Sequence, residues 1–141
     1  MPPSPDKGRP GGVAPYLATL LLALTSPAGA DELVACHLDY AGTNRTIEAR
    51  PTASPYTVAP VEVGSYLLFR VVFRTEPADL ASIKLYTYAQ HDDVDGRPLI
   101  HQATYAYPPT AAREYGFTGL NHVYEPRYGL VLDYWCEAIS K

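Results

Sequence analysis

Apolar and polar residues alternate along most of this chain with a period of two. In the stretch 65–75, Leu67, Phe69, Val71 and Phe73 fall on one side, and Arg70 and Arg74 on the other. Successive side chains of an extended strand point to opposite faces, so this stretch predicts a strand with one face in a core. Weaker alternation predicts strands over 33–40, 45–50, 56–63, 82–90, 98–107, 117–124 and 128–138. No segment sustains the 3.6-residue period of an amphipathic helix, although 76–81 can form a single helical turn. Asp95-Gly96 marks a turn between 82–90 and 98–107, and Glu125-Pro126-Arg127 separates the last two strands. Pro51, Pro55 and Pro60 interrupt the second and third candidates and assign them to sheet edges, because proline cannot donate to a ladder. The longest loop spans 107–116.

Seven or eight short strands in little more than a hundred residues predict an all-β, antiparallel, immunoglobulin-like β-sandwich, with a small β-barrel as the alternative. Tyr134 stands two residues before Cys136, a spacing that resembles the tyrosine corner of immunoglobulin-type domains. The likeness is one of architecture. The single tryptophan, Trp135, adjoins Cys136 and points to the opposite face, and no strand follows that cysteine.

The first thirty residues break the pattern. Lys7 and Arg9 precede an apolar run, Tyr16 to Leu24, and Ala28-Gly29-Ala30 has the small-x-small form of a signal-peptidase site. The run falls short of the roughly 18–20 residues a membrane helix needs. The expectation is a cleaved signal peptide over 1–30 and a single domain over 31–141. A 111-residue domain can bury roughly two-thirds of its unfolded surface. Without Lys7, Arg9 and Asp6 it holds nine Lys and Arg against fourteen Asp and Glu, a net charge of −5. An acidic chain without a basic cluster repels phosphate backbones, which excludes nucleic acid as the expected partner. The mature part carries only two lysines, Lys84 and Lys141, amid abundant Ala, Pro and Arg. That composition favours a bacterial periplasm over other export destinations.

Two cysteines in an exported chain predict one disulfide, Cys36–Cys136. Each shares the more apolar face of its strand, Cys36 with Val34, Leu38 and Tyr40, and Cys136 with Leu132 and Tyr134. The expectation is a bridge from first strand to last across the core. In the chain-entropy picture such a loop contributes roughly 4–5 kcal/mol.

Chemistry-bearing motifs are sparse. His37, His91, His101 and His122 form no H-x-x-H or H-E-x-x-H pair, so no metal site and no cofactor is expected. His37, His101 and His122 are the weak metal candidates should the sheets bring them together. His91-Asp92-Asp93-Val94-Asp95-Gly96 departs from a calcium loop at its first and twelfth positions, His91 and Gln102, and reads as a turn. Asn44-Arg45-Thr46 matches the N-glycosylation sequon. There is no G-x-S-x-G and no unpaired cysteine, and the reading leans away from an enzyme.

Tyrosine is the unusual component, with eleven in the 31–141 segment. Tyr86 and Tyr88 share a face of one strand; Tyr105, Tyr107 and His101 share a face of the next. If that hairpin pairs even with odd positions, all five form one tyrosine–histidine face, extended by Tyr115, Tyr124 and the 107–116 loop. Tyrosine offers area with a polar tip at little entropic cost. The functional expectation is therefore a non-catalytic exported module recognising a protein, peptide or glycan. The alternative is a small-ligand or metal carrier, and a small hydrolase comes third.

Overall fold

The computed structural model describes residues 1–13, 31–93, 95–110 and 113–141. Residues 1–13 are exposed and lack regular structure. The apolar run and the small-residue site expected of a signal peptide lie outside the described residues. No helix among the described residues is long and apolar enough to cross a membrane.

Among the described residues, eight strands make two four-stranded antiparallel sheets, packed face to face and not closed into a barrel. They are β1 (Glu32–Tyr40), β2 (Thr43–Ala49), β3 (Val61–Val63), β4 (Leu67–Arg74), β5 (Ser82–Ala89), β6 (Leu99–Ala106), β7 (Asn121–Tyr124) and β8 (Val131–Ser140). Sheet A has the order β2-β1-β8-β7, and sheet B is a meander, β3-β4-β5-β6. The proline-flanked β2 and β3 are both edge strands, as expected, and the prolines themselves lie outside the two ladders. Short 3-10 turns cover Pro55–Thr57 and Ala78–Leu80, the second where a helical turn is predicted.

The alternation in the sequence becomes the core. Val34, Cys36, Leu38 and Tyr40 of β1 meet Leu67, Phe69, Val71 and Phe73 of β4, Ile83 and Leu85 of β5, and Leu132, Tyr134 and Cys136 of β8. Phe69 and Phe73 are almost wholly enclosed. Burial of a large apolar side chain is worth roughly 1.5–3 kcal/mol, so this layer is the main favourable term.

Cys36 and Cys136 are joined as expected, but the bridge does not span the two sheets. β1 and β8 are neighbours in sheet A, and the cysteines are direct cross-strand partners with Cα atoms 4.0 Å apart. The Cys136 N–H donates to Thr118 Oγ1 and its carbonyl accepts from the Phe117 N–H, both on the β7 side. Neither group is left for β1, so the cysteines occupy a narrow, non-hydrogen-bonded pair, where cross-strand side chains come closest. The bridge sits within the β1–β8 register, and that register decides which residues oppose one another on the outer face.

Candidate functional site: an aromatic and acidic cleft on sheet A

With Cys36 opposite Cys136, His37 opposes Trp135 and Asp39 opposes Asp133. These four alternate with the cysteines and so face outward. β2 places Thr46 beside His37 and Asn44 beside Asp39, and β7 places His122 beside Asp133. Two rows thus cross the outer face: Asn44-Asp39-Asp133-His122, and Thr46-His37-Trp135.

The imidazole of His37 stacks on the indole of Trp135, with ring centroids 4.1 Å apart. His37 Nε2 lies 2.8 Å from Glu137 Oε1, and Nδ1 lies 3.2 Å from Thr46 Oγ1. With the proton on Nε2, that nitrogen donates to the carboxylate and Nδ1 accepts from the threonine hydroxyl. His37 is therefore held from both ends. On the neighbouring row, His122 Nδ1 sits 2.6 Å from Asp133 Oδ1.

The loop before β7 builds the opposite wall. Gly116 lies against β8, where a Cβ would come 2.0 Å from the Cys136 carbonyl oxygen, and its φ is +60°. Only glycine accepts both constraints without strain. This close approach sets the Tyr115 ring edge-on to Trp135, 6.3 Å between centroids. Leu120 completes the wall. The resulting open cleft has a volume of about 420 Å³ and is lined chiefly by His37, Asp39, Tyr115, Leu120, Asp133 and Trp135.

Charge in the cleft is unbalanced. Arg45 also borders it, but its guanidinium turns to the sandwich opening and donates to the Glu62 carbonyl of β3. Among the described residues no ion pair reaches Asp39, and only His122 pairs with Asp133.

The expected five-residue tyrosine face does not form. β5 and β6 pair even with even positions, Tyr86 with Gln102 and Ile83 with Tyr105, and the register slips between Thr87 and Tyr88. Tyr86 and Tyr88 face outward from sheet B, stacked 6.3 Å apart. The Arg70 guanidinium lies over the Tyr86 ring and donates to the Val58 and Pro55 carbonyls, so the chain at 55–58 is drawn towards this face. His101, Tyr105 and Tyr107 lie on the other face. Tyr105 packs edge-on against Phe117, and Tyr107 packs against Phe73. Burial, with Glu32 nearby, pushes the Tyr107 phenol up to about 12. Gln102 and Thr104, an awkward match for the core in the even–odd pairing, are exposed.

His101 points into the core, where its Nε2 lies 2.7 Å from the Tyr134 hydroxyl. That bond crosses between sheets, so Tyr134 makes no tyrosine corner. His37 and His122 share the outer face of sheet A but belong to different rows, and the three weak metal candidates do not converge. Among the described residues, no three His, Cys, Asp or Glu side chains are placed to hold a metal ion.

A second polar cluster closes one end of the sandwich. Glu125 is fully buried, and its carboxylate accepts from the Arg127 and Tyr128 N–H groups at 2.8 and 2.6 Å. His91 Nε2 lies 2.8 Å from Glu125 Oε1, near enough for an ion pair but out of line for a hydrogen bond. Tyr66 stacks on His91 and packs on Tyr128. Arg127 forks onto Asp93, whose carboxyl it holds below the usual range. These contacts fasten the 90–98 loop to the turn between β7 and β8.

The chain matches no protein-family model, and neither the curated proteins nor the solved structures give a match. Fold and geometry thus define the class: a two-layer β-sandwich, locked within one sheet by a disulfide and carrying an aromatic, acidic cleft on that sheet.

Proposed function

We propose that the protein is a non-catalytic, exported binding module, and that it holds its partner in the sheet A cleft. The observation that carries this reading is the Trp135–His37 stack, half-exposed on the outer face of the disulfide-locked strands and walled by Tyr115. Large aromatic side chains beside polar groups on a rigid sheet are the usual anchors of recognition surfaces. His37 is held by Glu137 and Thr46, so the stack is preorganised and loses little freedom on binding. Tyr86 and Tyr88 are weaker candidates, because the Arg70 side chain already lies over Tyr86.

Export to a bacterial periplasm is part of the same proposal. It is supported by the signal-like 1–30 segment and by the disulfide, which persists in oxidising compartments. Amino-terminal sequencing of the product should begin at Asp31. For the site, a photo-crosslinking residue is placed at position 115 and, as a control, at exposed Thr104 on sheet B. A discrete adduct from position 115 alone, lost in Trp135→Ala, supports the cleft. Equal labelling from both positions, or none from 115, counts against it.

A further inference from the structure

We infer that the cleft receives the basic side chain of a partner peptide, a lysine or arginine, with its cationic head at Asp39 and Asp133. This rests on the cleft being the binding site. Asp39 and Asp133 are direct cross-strand partners on one face, an arrangement in which like charges repel. Arg45 lines the cleft and keeps its charge, but its guanidinium donates to the Glu62 carbonyl and makes no ion pair with either aspartate. His122 faces Asp133 from β7, His37 is committed to Glu137, and no cation among the described residues pairs with Asp39.

The acidic pair is one end of an amphipathic slot. Trp135, Tyr115 and Leu120 form the other, and Tyr115 and Leu120 are exposed although large and apolar. A lysine or arginine has the matching form, an apolar stem ending in a charge, and such stems lie along apolar surface. A flat sugar ring fits less well, because His37 already covers one face of Trp135. Metal ions fit less well too, given that among the described residues no three ligating side chains meet. The row from Asn44 to His122 crosses four strands, about 14 Å, which spans several residues of an extended peptide and exceeds a lone ammonium ion. The net charge of −4 over the whole chain adds attraction at long range.

The only tryptophan of the chain lines the cleft, so its emission reports occupancy directly. Pentalysine and pentaarginine are titrated into the protein at low ionic strength. The expected result is a saturable change in emission that weakens with added salt and is absent with pentaglutamate. Asp39→Asn and Asp133→Asn should each weaken binding about tenfold or more, in line with the loss of a close charge pair. Asp39→Asn should melt at or above the wild-type temperature, because it removes a repulsion, and this shows that the fold survives. Glu76→Gln, an acidic change elsewhere on the surface, should bind as wild type. No saturable change, or binding unaltered in Asp39→Asn, overturns the inference. Spermidine binding as tightly as pentalysine overturns the peptide and points to a free polyamine. A neutral oligosaccharide that shifts the emission equally in wild type and Asp39→Asn overturns the cation but leaves the binding cleft standing. Failure of every probe, together with no crosslink from position 115, removes both readings.

Discussion

The Tyr134 hydroxyl of β8 meets His101 Nε2 of β6 at 2.7 Å, a side-chain hydrogen bond that joins sheet A to sheet B. Tyr134 is wholly enclosed, and its ring packs against Phe69. Burial depresses the His101 imidazole below its ordinary value of 6.5 and raises the Tyr134 phenol. Both shifts keep the pair neutral, with the hydroxyl donating to an unprotonated Nε2.

Stability should therefore fall as the solution is made acidic through the histidine range. The unfolded chain protonates His101 near pH 6.5, while the folded chain resists until a lower pH. Between those values the unfolded state binds more protons, so its population grows. Urea unfolding at pH 7.5, 6.5 and 5.5 should show a declining midpoint, and His101→Gln should flatten that decline. Tyr134→Phe at pH 7.5 should cost about 1–3 kcal/mol by leaving Nε2 buried without a partner. A pH profile unchanged by His101→Gln would show that the imidazole is not linked to folding.

The disulfide and the register it sits in can be separated experimentally. Cys36 and Cys136 close a loop with a sequence separation of 100, so Cys36→Ala with Cys136→Ala should lose about 2–4 kcal/mol. β1 and β8 are nevertheless paired along nine positions, from Glu32↔Ser140 to Tyr40↔Leu132. The double variant should therefore keep its far-ultraviolet circular dichroism and its Trp135 emission in native buffer. Loss of the native emission with the strand signal intact would mean that the bridge, and not the ladder, seats Trp135 against His37.

Particular residues show how much of this was legible in the chain. The alternation of Leu67, Phe69, Val71 and Phe73 named β4 without help, because period two has one structural meaning. The cysteine pairing followed from there being only two in a chain read as exported. Sheet register was not legible between β5 and β6. The nine residues from Gln90 to Pro98 do not determine parity, and the slip at Thr87 and Tyr88 adds a further residue. Tyr105 therefore went inward, opposite Ile83. The cleft was closer to the surface of the sequence than the tyrosine face. Treating Cys36 and Cys136 as neighbours places His37 against Trp135 and Asp39 against Asp133 by counting alone. The picture of a bridge spanning two sheets concealed that count. His91 and Glu125 meet through two separate loops, and no periodicity announces such a contact.

Gly116 should be the least replaceable residue of the cleft wall. In Gly116→Ala the new Cβ would strike the Cys136 backbone at 2.0 Å, and the left-handed φ adds its own strain. At Gly119, φ is +70° but nothing lies within 4 Å of an added Cβ. The two variants share the conformational penalty of about 1–2 kcal/mol, and only the first carries the clash. Gly116→Ala should lose at least about 1 kcal/mol more than Gly119→Ala in urea unfolding. It should also alter Trp135 emission by displacing Tyr115. Equal losses in the two would mean that the loop before β7 does not rest on β8.

The cluster around Glu125 supplies the last expectation, a local one. Burial pushes its carboxyl up, but the Arg127 and Tyr128 N–H groups and His91 favour the charged form more strongly, so the group ends below its ordinary 4.5. A depressed carboxyl stabilises the fold above the unfolded value, and that contribution disappears as pH falls through the folded one. Acid should release the turn at 125–129 and, through His91 and Asp93, the 90–98 loop. Amide hydrogen exchange at pH 6 and pH 3, corrected for intrinsic rates, should show protection lost at Tyr128 and Arg127 while Phe69 and Leu85 stay protected. Glu125→Gln should reproduce the local loosening at pH 6 and cost about 1–3 kcal/mol, because Arg127 and Tyr128 donate to different oxygens, the amide keeps only one acceptor and sets its NH2 against the other N–H, and it offers His91 no charge. Unchanged protection at Arg127 and Tyr128 in that variant would mean that the hairpin's own Glu125–Leu130 backbone bond, at 2.7 Å, holds the turn without the carboxylate.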